Sequence, residues 1–112
     1  VVKEIKIKRM KSSQLVKDGN ISIVCETKKD VDRVLRIATK KKWHWVSGNS
    51  AASYRPPCYR KNKMPEEKVC ISFWRERSWY PVTIGYRDVE PNYKGNRSVA
   101  WFEKNFAVRH RT

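Results

Sequence analysis

Apolar residues recur along this chain with two periods, and each period predicts a different element. Val31, Val34, Leu35 and Ala38 stand at i, i+3, i+4 and i+7, the buried stripe of an amphipathic helix. Thr27 and Asp30 precede the stripe as an N-cap and a first-turn acid, which satisfy and complement the positive helix end. Lys40, Lys41 and Lys42 close it, where cations meet the negative end of the dipole. Together these signals predict a helix over residues 28–42.

Elsewhere the period is two, the mark of strands. Ile5 and Ile7 alternate with charge over residues 3–8, as on an edge strand. Residues 12–20 are polar and end in Asp18-Gly19-Asn20, a turn signal. Residues 21–26 alternate Ile21, Ile23 and Cys25 with Ser22, Val24 and Glu26. These two stretches are expected to pair as a hairpin with a long loop. A third strand is expected over residues 43–46, stopped by Ser47-Gly48. Trp43 and Trp45 are two apart and so face one side, predicted to be core, which turns His44 outward beside the lysines. Residues 49–65 lack periodicity and read as a long basic loop. Val69, Ile71 and Phe73, then Val82, Ile84 and Tyr86, mark two further strands around a turn at residues 75–80. Residues 92–97 are turn-rich. Ser98 caps a short last helix with Val99, Phe102 and Phe106 on one face.

The predicted order is β-β-α-β-β-β-α. It implies one α+β domain over residues 1–112, with a mostly antiparallel sheet of four to five strands and helices on one face. Residues 109–112 form a basic tail. The helix and strand that follow residue 21, the run Trp43-His44-Trp45-Val46-Ser47-Gly48, the irregular segment with Cys58-Tyr59, and the two later strands also carry a resemblance. Their succession resembles small, largely uncharacterised accessory proteins encoded by bacteriophages. The resemblance implies a phage or mobile-element origin and a similar sheet closed by a meander. It carries over no catalytic or binding residue.

Charge changes the picture most. The chain has 112 residues, with 26 Lys and Arg against 11 Asp and Glu, a formal net charge of +15. Such an excess repels itself in the compact state, and its usual use is an acidic partner. Five Trp, five Tyr and three Phe argue against a disordered polycation. No apolar run reaches the roughly 20 residues a bilayer requires. Residues 1–11 alternate charge with Ile and do not read as a signal peptide, so the expected location is the cytoplasm, that of the host if the protein is phage-encoded. The chain begins with Val, as a trimmed chain or a piece of a longer protein would.

Catalytic and metal chemistry find little footing. Cys25, Cys58 and Cys70 are an odd, sparse set, which reads as reduced thiols and not as a disulfide framework. With His44 they lack the close ligand pair of a structural zinc site. Asp18, Asp30, Asp32 and Asp88 form no recognisable nuclease motif, and there is no P-loop or dinucleotide fingerprint. No enzyme and no cofactor are expected.

Cations interleaved with aromatics are a better signal, because cations neutralise phosphates while rings stack on bases. Lys40, Lys41 and Lys42 run into Trp43, His44 and Trp45. Arg55, Arg60, Lys61 and Lys63 surround Tyr54 and Tyr59 in the long loop. Arg75 and Arg77 precede Trp79 and Tyr80 at a hairpin tip, and Arg109 and Arg111 close the chain. Those cations, with His44, Trp79 and Tyr80, are the expected nucleic-acid contacts, RNA or DNA. The competing expectation is a phage effector or inhibitor that docks on a host nucleoprotein machine, such as a CRISPR complex or polymerase, through protein contacts.

Overall fold

The computed structural model describes residues 12–17, 21–75 and 82–106. Its frame is a five-stranded mixed sheet in the order β2-β4-β3-β1-β5. The strands are β1 (Ser22–Cys25), β2 (His44–Trp45), β3 (Val69–Trp74), β4 (Thr83–Arg87) and β5 (Asn96–Arg97). The central pairs β1–β3 and β3–β4 are antiparallel, with Ile23 opposite Ile71 and Phe73 opposite Ile84. Both edge strands pair in parallel, β5 on β1 and β2 on β4. The expectation of a mostly antiparallel sheet is thus corrected to two parallel and two antiparallel pairs. The reason is that neither edge strand sits beside the strand before it in sequence: β2 pairs with β4 and β5 with β1, and the intervening crossovers deliver the chain in parallel.

Helix α2 spans Lys28–Lys40 and begins with a capping box. The Thr27 hydroxyl accepts from the Asp30 amide at 3.2 Å, and the Asp30 carboxylate accepts from the Thr27 amide at 3.3 Å. Both bonds satisfy amides that the first turn leaves without helical partners. The helix ends in a Schellman arrangement. Trp43 N–H donates to Ala38 C=O at 3.0 Å and Lys42 N–H to Thr39 C=O at 3.1 Å, with Lys42 in the left-handed region at φ 62. That reversal carries Trp43 directly into the core.

Val31, Val34, Leu35 and Ala38 are buried, as their spacing requires. Helix α4 (Val99–Phe106) lies beside α2, and both touch β1. Phe102 stacks on Phe73 with centroids 5.3 Å apart, and Trp43 meets Phe73 edge-on at 5.8 Å. The core therefore sits between this helix pair and the sheet face carrying Ile23, Ile71 and Phe73. Trp43 is 1% and Trp45 4% exposed, so the shared core-facing side expected of them is found.

Two segments expected to be irregular are helical. Residues Ser12–Lys17 form a short helix, α1, lying against β3 with Leu15 fully buried. The stretch 49–65 holds a 3-10 turn at Ala51–Ser53 and a one-turn helix, α3, at Pro57–Arg60. Such short helices owe their form to packing on the rest of the molecule, because local propensity cannot sustain them. The strand expected over residues 3–8, and its hairpin with β1, lie outside the described residues. No helix among the described residues is long and apolar enough to cross a membrane.

Candidate nucleic-acid interface

The loop from β2 to β3 is tied to α2 by one acid. Arg55 Nε donates to Asp32 Oδ1 at 3.0 Å, and the Tyr59 hydroxyl donates to Asp32 Oδ2 at 3.1 Å. Arg55 also donates to the Tyr54 carbonyl at 3.0 Å. Lys28 adds a hydrogen bond to Asn62 and lies 5.3 Å above the Tyr59 ring. Asp32 therefore does more than charge a helix turn. It anchors the segment that carries Tyr54 and Arg60.

So anchored, Tyr54 meets two rings from the sheet. It stands edge-on to Trp45 at 5.4 Å and is stacked with Tyr86 at 6.1 Å and 26°. The two phenol oxygens are 3.4 Å apart. Hydrogen bonding to Tyr54 raises the Tyr86 phenol pKa, with desolvation second and the nearby Arg60 charge opposing. Arg60 lies 4.9 Å over the Tyr54 ring and donates to its hydroxyl at 3.1 Å. Trp45, Tyr54, Tyr86 and Trp74 line a cleft of about 580 Å³, with Val46 and Asn49 on its rim. Tyr86 is 42% and Val46 59% exposed, so this is an aromatic surface open to solvent.

Gly85 shapes the far wall. A β-carbon there would come within 2.6 Å of the Trp74 ring, so only glycine lets the indole lie against β4. The parallel pairing of β2 stops at Trp45–Ile84, after which the chain turns away. That leaves the Gly85–Tyr86 edge of β4 with no strand beside it among the described residues.

A larger hollow, about 690 Å³, is framed by Val89–Gly95. It is a less suitable site for a polyanion: its wall is a single loop containing Glu90, and its one ring, Tyr93, is already covered by Arg87 at 4.2 Å.

The expected contact residues divide on their partners. Arg60, Lys61 and Arg75 are exposed, and none has an ion-pair partner among the described residues. Lys40 and Lys42 are exposed at the end of α2, and Lys41 is half-buried as its C-cap. His44 is half-buried and pairs with Thr83 in the sheet. Arg55 is committed to Asp32, and Lys63 lies 3.8 Å from Glu67. Arg77, Trp79, Tyr80, Arg109 and Arg111 lie outside the described residues. Ion pairs also engage Glu26 with Lys68, and Asp30 and Glu103 with Arg33. The bond to Glu103 is the main cause that raises the Arg33 pKa. Glu26, Asp30, Asp32, Glu67 and Glu103 thus each meet a particular cation, and the positive excess falls on the others.

Sequence reasoning missed Tyr86, Trp74 and Trp45 as site residues. Each stands in a strand pattern where alternation reads as packing, and only their convergence with Tyr54 distinguishes them. The cysteines take no part. Cys25, Cys58 and Cys70 are buried free thiols, and burial pushes all three pKa values up. No family model, curated protein or solved structure matches this chain.

Proposed function

We propose that this protein is a small basic nucleic-acid-binding module, of phage origin as its sequence resemblance implies. It captures RNA or DNA by phosphate contacts from a Lys/Arg surface and by stacking on exposed rings. The observation that carries the reading is the exposed Tyr86 stacked on half-buried Tyr54, with buried Trp45 behind them and Arg60 over the Tyr54 ring, on a chain of net charge +15. Cations supply salt-sensitive affinity, and rings supply a sequence-tolerant grip on unpaired bases. Exposed rings favour single strands, whose bases are free to stack. The action is capture, without turnover.

A salt-dependent mobility-shift assay against RNA, single-stranded DNA and duplex DNA tests this. Six to ten phosphate contacts would cost roughly a thousandfold or more in affinity between low and moderate salt. Arg75→Glu should weaken binding without unfolding the protein. The second reading, an effector that docks on a host nucleoprotein machine, is favoured by one observation, the exposed apolar Val46 beside Tyr86. Failure to bind any nucleic acid at physiological salt would remove the first reading and leave this one.

A further inference from the structure

The aromatic cleft differs from a general basic surface because it has walls. Trp45 and Tyr54 stand at 84° to each other and Tyr86 stacks on Tyr54, so the rings form a corner and not a flat patch. Trp74 closes the opposite side, held there by the absence of a side chain at Gly85. Beyond Ile84 no strand among the described residues pairs with β4 on that side. Ile84 C=O accepts from Val46 N–H across this edge at 3.1 Å. Strand alternation directs the main-chain groups of Tyr86, two residues on, to the same side. A flat ligand in the cleft would therefore meet the exposed Tyr86 ring and the half-buried Trp74 ring together with main-chain and phenol polar groups.

Charge selects among flat ligands. An aromatic corner can also hold a quaternary ammonium group. Here Arg60 already covers Tyr54, and the chain is strongly cationic, so a cation would be repelled. A ligand that couples a flat ring to a negative group fits both features. Arg60 uses Nε on the Arg55 carbonyl at 3.0 Å and Nη2 on the Tyr54 hydroxyl at 3.1 Å. A guanidinium has five N–H donors, which leaves Arg60 others to offer a phosphate beside the ring.

We infer that the Trp45–Tyr54–Trp74–Tyr86 cleft is a docking site for one unpaired nucleobase of a single strand, with Arg60 meeting the adjoining phosphate. This rests on the nucleic-acid reading above and goes further. It makes affinity depend on a base at one place, and not on phosphates alone.

The test compares a short oligouridylate, an oligodeoxyuridylate of equal length and an abasic deoxyribose strand of the same length, by tryptophan fluorescence titration of the whole chain. The base-bearing strands should quench emission and bind roughly tenfold or more tighter than the abasic strand. Their ratio identifies the sugar the site prefers. Tyr86→Ala should bring the base-bearing strands down towards the abasic affinity, while Tyr86→Phe, which keeps the ring, should retain binding. Equal affinity for abasic and base-bearing strands would overturn the base site and leave phosphate capture standing. Binding of none of the three would overturn both. The wild-type comparison decides the matter by itself if Tyr86→Ala does not fold.

Discussion

Replacing Asp32 with Ala separates the shape of the interface from its charge. The substitution removes an ion pair to Arg55 at 3.0 Å and the acceptor of the Tyr59 hydroxyl at 3.1 Å. Hydrogen bonds contribute about 0.5–1.5 kcal/mol each, and up to about 3 when charged. The pair is partly solvated, with side chains 27% and 38% exposed, so its share falls to the exposed-pair range of about 0.2–1 kcal/mol. The total loss should be about 1–2 kcal/mol, a fall in melting temperature on the order of 5 °C for a domain of this size. The same change removes one negative charge, taking the net charge from +15 to +16. Charge alone would then strengthen binding to a polyanion. Loss of the anchor should weaken it, because Tyr54 and Arg60 sit on the released segment. Thermal melts and a titration with single-stranded oligonucleotide, both at fixed salt, measure the two effects. A variant that melts like the parent, or binds more tightly, would refute the anchoring argument. A double-mutant cycle with Arg55→Ala isolates the coupling between the two side chains.

Two further outcomes follow from other parts of the molecule. Lys42 holds a left-handed conformation at φ 62, so Lys42→Gly should raise stability by about 0.5–1 kcal/mol in urea unfolding, after glycine's larger unfolded-state entropy is subtracted. A loss of stability would show that the lysine side chain contributes more than its backbone costs. Cys25 is held neutral mainly by burial, its pKa raised above that of an unfolded thiol. Its contribution is therefore fully present well below the ordinary thiol pKa of about 8.5, and is lost as pH rises through that value towards the folded one. The stability gap between the parent and Cys25→Ala should narrow above that pH, and native protein should react slowly with a thiol reagent at neutral pH. A gap independent of pH would contradict the burial argument.

Elements whose signals lie within one stretch of chain were legible before folding. Helix α2 is one: Val31, Val34, Leu35 and Ala38 repeat within it, and Thr27 and Asp30 cap it. The central strands are others, because alternation of Ile23 with Val24 or of Ile71 with Cys70 needs no distant information. The burial of Trp43 and Trp45 followed from the same rule. Charge and aromatic content pointed to a polyanion by composition alone.

What stayed hidden depends on contacts between distant residues. Short helices α1 and α3 exist because Leu15 and Cys58 are buried against other elements, which no local period records. Parallel pairing of β2 and β5 depends on which sheet edge the chain reaches after each crossover. Arg55 and Arg60 look alike in the sequence, yet an acid 23 residues away binds the first, and a tyrosine ring orients the second. Tyr54 and Tyr86 are 32 residues apart. Composition and local periodicity are enough to show a strongly basic α+β protein rich in rings. Which cations are neutralised and which rings face solvent emerges on folding, because both depend on neighbours that chain order does not reveal.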